Sequence, residues 1–157
     1  MRKRIIGQVY PKQFDAAQNC LDLNQLAEVE LTSEDVAHPI ESALFPGTES
    51  GWRAAVPGEQ TIRLLFDAPQ TVRKICLMFC EAESERTQEL VLRWSPDQEQ
   101  PYREILRQRY NFSPPHTTRE IEDYGVELEG VMRLELSISP DVSGGAVCAS
   151  LEQLRLA

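Results

Sequence analysis

Basic charge and histidine are both scarce in this 157-residue chain: 16 Lys and Arg stand against 25 Asp and Glu, and there are 2 His. A duplex-binding surface neutralises phosphates with clustered Lys and Arg. Here the basic residues are scattered, the densest groups being Arg2–Arg4 and Arg103, Arg107 and Arg109, the latter interleaved with Glu104. No nucleic-acid partner is expected, and the formal charge of −9 serves solubility. Long apolar runs are missing too. Stretches such as Ile75–Cys80 fall far short of the about 20 residues that span a bilayer, so no membrane partner is expected. The opening MRKRIIGQVYPKQFD lacks an apolar h-region and a small-residue cleavage site. It does not read as a secretory signal, and the expected location is cytoplasmic.

Catalytic signatures are absent as well. There is no G-x-x-x-x-G-K, H-E-x-x-H or G-x-S-x-G, and only His38 and His116 offer an imidazole for a nucleophile–base pair. The cysteines, Cys20, Cys76, Cys80 and Cys148, show no C-x2-C pairing of the kind a zinc site uses. Cys76 and Cys80 share one strand face about 13 Å apart at roughly 3.3 Å per residue. A disulfide needs its Cα atoms within about 7 Å, so four buried thiols are expected. Neither a catalytic residue, a metal nor a cofactor is predicted. A carboxylate pair of the glycosidase type is the one enzymatic option that counting leaves open.

What is present is alternation. Ala27, Val29 and Leu31 alternate with Glu28, Glu30 and Thr32; Ile62, Leu64 and Phe66 with Thr61, Arg63 and Asp67; Leu90, Leu92 and Trp94 with Glu89, Arg93 and Ser95. Met132, Leu134, Leu136 and Ile138 alternate with Arg133, Glu135, Ser137 and Ser139. Period two marks strands with one face on a core and one on water. Residues 72–80 are apolar on both faces in their second half, which suits a central strand. Turn signals punctuate these runs at Pro57-Gly58, Asp67-Ala68-Pro69, Ser95-Pro96-Asp97, Ser113-Pro114-Pro115, Glu129-Gly130 and Ser143-Gly144-Gly145. The pattern predicts an all-β antiparallel sandwich or barrel. Two stretches are ambiguous: 101–109 has helical spacing, and 12–19 could form a helical turn.

Four segments in fixed order resemble the discoidin, or coagulation-factor C-type, domain of the galactose-binding-like superfamily. They are ALFPGTESGW (Ala43–Trp52), TIRLLFDAPQTVRKICLMF (Thr61–Phe79), LVLRWSPDQEQPYREI (Leu90–Ile105), and VMRLELSI with ASLEQLRL near the end. The first keeps the family's nine-residue step from Ala to Trp. The resemblance covers roughly residues 27–156 and implies an eight- or nine-stranded antiparallel jelly-roll sandwich over residues 26–157. Residues 1–25 then form an extension that packs on or precedes it. Many members of that family hold a structural Ca²⁺ through acidic loop positions before the Trp and a Glu in the last strand. Those positions are Phe45, Gly47 and Gln153 here, and Ca²⁺ needs about 6–8 oxygen ligands, so no calcium is predicted.

In the resembled family, ligands sit on loops at one end of the sandwich. Carried onto this chain, those loops are Glu34–Glu41 and Asn111–Thr117. A sugar site combines an aromatic plane with a few directional polar groups, which points to Phe112, Asn111, His38 and His116, joined by Arg109, Arg53 and Glu41. Each has a plainer reading. Phe112 can plug the barrel mouth, the histidines can be exposed loop imidazoles, and Arg109 can pair with Glu120 or Glu122 across strands. Trp52 reads as core. The expected function is a non-catalytic module that binds a carbohydrate-like ligand. The alternative is an intracellular adaptor of the same fold with a protein partner. A slot with one aromatic plane favours sugar; a flat apolar patch favours protein.

Overall fold

A computed structural model describes residues 20–47 and 50–157. Most of the N-terminal extension, including the ambiguous stretch 12–19, lies outside the described residues. The described residues form α1 (Leu23–Leu26), β1 (Ala27–Leu31), α2 (Glu41–Leu44), β2 (Trp52–Pro57), β3 (Gln60–Cys80), β4 (Arg86–Ser95), β5 (Arg103–Phe112), β6 (Arg119–Ser139), β7 (Cys148–Leu151) and β8 (Gln153–Leu156). All pairing is antiparallel. The order is β1-β3-β6-β4-β5, with β8 also on β3, and β2 pairs with β7. The architecture is the predicted jelly-roll sandwich.

β3 and β6 are 21 residues each and pair along most of their length. Asp67-Ala68-Pro69 and Glu129-Gly130 were expected to be turns between strands. Instead both strands run through those points, and the register shifts between Leu65 and Lys74. Gly130 has φ +72°, a conformation few other residues adopt, so a bend is made without a break. The two halves of β3 therefore serve different layers. Ile62–Phe66 pair with β1, and Ile75–Met78 pair with β8. Only residues 133–139 of β6 continue the sheet into β4. The layers face each other where Phe79 of β3 meets Tyr110 of β5, ring centroids 5.7 Å apart, and where the Tyr110 and Tyr124 hydroxyls lie 2.5 Å apart.

The alternating apolar residues line this interior: Ile62, Leu64, Leu90, Leu92, Leu134, Leu136 and Ile138 have no exposed surface. Each such side chain contributes about 1.5–3 kcal/mol relative to exposure. Ile75, Cys76 and Leu77 are all buried, so β3 is covered on both faces there as predicted. The ambiguous 101–109 stretch is strand from Arg103 onward, because β4 offers a ladder and leaves β5 as an edge with an exposed outer face. Of the four cysteines only Cys76 is buried; Cys20, Cys80 and Cys148 are half-buried, because they stand at strand ends or before the first element. Burial pushes the Cys76 thiol up to about 11, which keeps it protonated and unreactive. Of the extension, the backbone N–H of Leu21 donates to Leu156 O and Leu23 lies in the core.

Candidate functional site

Antiparallel pairing returns the chain to the same rim at alternate connections. The Glu81 N–H donates to Thr118 O, Val142 N–H to Thr87 O, and Gly58 N–H to Val147 O. The Asp35 N–H donates to Arg53 O, and Arg53 N–H to His38 O. These bonds pin 81–85 to 113–118, 140–147 to Thr87 and Gly58, and 33–40 to Arg53. The shared depressions of His38 with Glu81 and of Ser113 with Asp141 place the four segments at one loop pole.

Arg86 organises that pole. It is the first residue of β4, on the inward face of the alternation that continues with Gln88, Leu90 and Leu92, and it is 4% exposed. Its Nη1 donates to Pro140 O at 2.8 Å and to Gln88 Oε1 at 3.3 Å. Its Nε lies 3.0 Å from Glu81 Oε2 as an ion pair, without the alignment of a hydrogen bond. The guanidinium stands over the Phe112 ring, 5.1 Å from its centroid, a cation–π contact that strengthens with desolvation. Burial lowers the Arg86 pKa, and Glu81 opposes that shift. Glu81 also accepts the Glu83 and Ser84 N–H groups through Oε1. One buried cation thus fixes the 81–85 turn, the start of the 140–147 loop and the end of β5.

Several depressions lined by described residues border this clamp. One, about 330 Å³ and lined by residues that include Gly58, Glu89, Pro140 and Val142, holds none of the predicted site residues, and two others do. The larger, about 570 Å³, is lined by Glu85, Arg86, Thr87, Asn111, Phe112, Ser113, Asp141 and Ser143. The smaller, about 150 Å³, is lined by residues that include His38, Trp52, Arg53, Glu81, Glu83 and Glu152. Small-molecule sites run about 300–1,000 Å³, so the larger cleft has the capacity. In it, Thr87 Oγ1 donates to Asn111 Oδ1 at 2.7 Å, which leaves the Asn111 amide N–H groups without a partner among the described residues. Asp141 Oδ1 accepts the Ser143 N–H at 3.0 Å. The walls therefore offer amide donors, hydroxyls that donate and accept, and carboxylate acceptors. That mixture matches vicinal hydroxyl groups.

The predicted site residues distribute unevenly. Asn111 and Phe112 line the larger cleft, and His38 and Arg53 line the smaller one. The His38 Nδ1 lies 3.1 Å from Asp35 Oδ2, and that hydrogen bond holds the Asp35 carboxyl below its usual range. Phe112 has no exposed surface; its ring supports Arg86 from beneath and presents no plane to solvent. Glu41 opens α2, outside both clefts. His116 is exposed in the turn closed by its own N–H to Ser113 O, outside both clefts. Arg109 lies on the outer face of β5, where its Nε donates to Glu89 Oε2 at 2.9 Å. Its partner is on β4 and not Glu120 or Glu122, because β5 pairs with β4 alone. Glu81, Arg86, Thr87 and Asp141 join the pole without having stood out in the sequence. The signal for Arg86 and Gln88 was available: both occupy core positions of the alternation, at a strand start where a rim is due.

Trp52 is 1% exposed and its Nε1–H donates to Ser33 O at 3.1 Å, fixing the base of the 33–40 segment. Gly51 before it has φ +63°, and a Cβ there would lie 2.8 Å from Leu151 O, so only glycine admits this approach to β7. Among the described residues no group of three or more His, Cys, Asp or Glu is placed to hold a metal ion.

No protein-family model matches the chain, and no curated protein matches it. Solved structures do. The family 32 carbohydrate-binding module of C. perfringens NanJ, in complex with galactose, is similar over 87% of this chain and 96% of that one, with TM-score 0.63 and 11% identity. The family 32 module of AlyQ, in complex with 4,5-unsaturated mannuronic acid, is similar over 84% and 95%, with TM-score 0.61 and 14% identity. A pectin-binding carbohydrate-binding module is similar over 84% and 90%, with TM-score 0.58 and 15% identity. The chain thus has the galactose-binding-like, discoidin-like fold, and it matches nearly the whole length of these modules.

Proposed function

We propose that this chain is a non-catalytic module that binds a carbohydrate in the cleft between β4, β5 and the 140–147 loop. The observation that carries this reading is the cleft itself: a volume of about 570 Å³ walled by Thr87, Asn111, Ser113, Asp141 and Ser143 over the Arg86 clamp. Its placement on the loop pole of a fold shared with modules solved in complex with sugars supports it. The exposed large apolar side chains among the described residues are Val36, Val56 and Val142. They are three valines, Val56 in β2 and Val36 and Val142 in loops, and no large aromatic or leucine side chain is exposed with them among the described residues, which favours a polar ligand over an apolar protein interface. With no exposed aromatic plane in the cleft, recognition rests on hydrogen bonds. The free thiols at Cys20, Cys76, Cys80 and Cys148 support a reducing compartment, and we place the module in the cytoplasm.

Titration with neutral hexoses, amino sugars and uronates, followed by amide NMR shifts and calorimetry, tests the proposal. Saturable shifts at Thr87, Asn111, Asp141 and Ser143 are expected. Asn111→Ala weakens the binding by about tenfold, while the melting temperature stays within about 2 °C of the parent, as for other surface substitutions. Silence across the whole panel at millimolar sugar would reject the reading, and so would shifts confined to another face.

A further inference from the structure

The resemblance to the discoidin family raises a structural Ca²⁺ between the loop before Trp52 and the last strand. The described donors there do not fit one. Phe45 and Gly47 stand at the acidic loop positions and Gln153 at the strand position, while Glu49, the acid that could substitute only in a rearranged loop, lies outside the described residues. The space between α2 and β8 is instead entered by a side chain from within the sheet. Arg155 of β8 is 6% exposed. Its Nη1 donates to Ala43 O and Leu154 O, each at 2.8 Å, and its Nη2 donates to Phe45 O at 3.3 Å. Ala43 belongs to α2 and Phe45 follows it, and carbonyls at a helix C-terminus have no intrahelical donor. These oxygens form a ready cation cage, and a guanidinium fills it. Among the described residues no carboxylate forms an ion pair with Arg155, and the acceptors its guanidinium meets are these three carbonyls.

We infer that the Arg155 guanidinium replaces the divalent cation, locking β8 to the loop that leads into Trp52 and making the fold independent of calcium. Like charge and occupied carbonyls exclude the metal together. A planar guanidinium spans carbonyls on two separate segments, as a spherical ion would. Unlike the ion it cannot dissociate, so the loop pole keeps its geometry at any free calcium level.

Three measurements on the whole chain test this independently of sugar binding. Terbium, which enters oxygen-lined calcium sites, is titrated with excitation through tryptophan. No saturable emission is expected, and a saturable signal that Ca²⁺ displaces would overturn the inference. Melting is compared in chelator and in millimolar Ca²⁺. The midpoints should coincide within about 1 °C, whereas a rise of about 4 °C or more with calcium overturns it. Arg155→Met removes the donors to Ala43 O, Phe45 O and Leu154 O, and its midpoint is expected to fall by about 4 °C or more. Arg155→Lys recovers only part of the loss, since one ammonium does not reproduce the planar fork. An Arg155→Met variant that melts with the parent overturns the inference. Should that variant fail to fold, the terbium and calcium measurements on the parent protein decide.

Discussion

Arg86 and Arg155 are both buried guanidiniums, 4% and 6% exposed, yet among the described residues one has a carboxylate and the other has only carbonyls. Burial lowers the pKa of each, and at Arg86 the Glu81 carboxylate pulls it back. Each leaves its Nε without a hydrogen bond, so neither charge is fully satisfied, and burying an ion costs several kcal/mol before compensation. The difference follows from what is being joined. At the rim, Arg86 gathers an exposed turn, a long loop and a strand end, none of which presents a row of free carbonyls. Beside the second layer, Arg155 meets the end of α2, where such carbonyls are unavoidable. An ion pair holds segments that would otherwise drift, and a guanidinium on the Ala43 and Phe45 carbonyls caps the end of a helix.

The largest way to break this comparison is Arg86→Met. It strands the Glu81 carboxylate, 14% exposed, and unties Pro140 from β4. Urea denaturation is expected to show a loss of about 3–5 kcal/mol, exceeding that of Arg155→Met, and sugar binding in the cleft should vanish with it. Next comes Glu81→Gln. The amide oxygen still accepts the Glu83 and Ser84 N–H groups, so the turn survives while the counter-charge is lost. Arg86 is then left with the electrostatics of Arg155 but only one backbone carbonyl, Pro140 O, and about 1–3 kcal/mol should be lost. If Glu81→Gln leaves stability untouched, carbonyls suffice at both places and the contrast dissolves.

The fold was legible because alternation is a property of the chain itself: Leu134, Leu136 and Ile138 have to face inward together, whatever lies opposite. The bends were not, since Asp67-Ala68-Pro69 and Glu129-Gly130 read equally as turns or as kinks, and the paired length of β3 and β6 decides between them. Asn111 and His38 were reachable as loop polar residues. Arg155 was hidden by the same alternation that revealed the core. Between Leu154 and Leu156 it reads as an outward, solvent-facing position, and only the packing of α2 over that face buries it. Arg109 misled through strand order, because sequence neighbours do not specify which strand β5 pairs with.

Smaller effects sharpen the contrast between paired and unpaired charge at the level of carboxylates. Hydrogen bonds from Arg109 and then Arg107 hold the Glu89 carboxyl below its ordinary value of 4.5. Its contribution is therefore complete above that value and is lost as pH falls through the lower folded value. Half-buried Glu120, opposite Phe79 in the β3–β6 ladder, is raised by burial first and by Glu122 second. Its contribution has the opposite sign: it is present below the ordinary value and is lost as pH rises through the folded one. Glu89→Gln should therefore lower the neutral-pH melting temperature by at most about 2–4 °C and flatten the acid limb of the stability curve. Glu120→Gln should raise the neutral-pH midpoint by about 2 °C and make no difference in acid, where the native side chain is already protonated. Melting curves from neutral pH to below the carboxylate range separate the two. If both variants move the same way at neutral pH, the environment of Glu120 is solvated and not apolar.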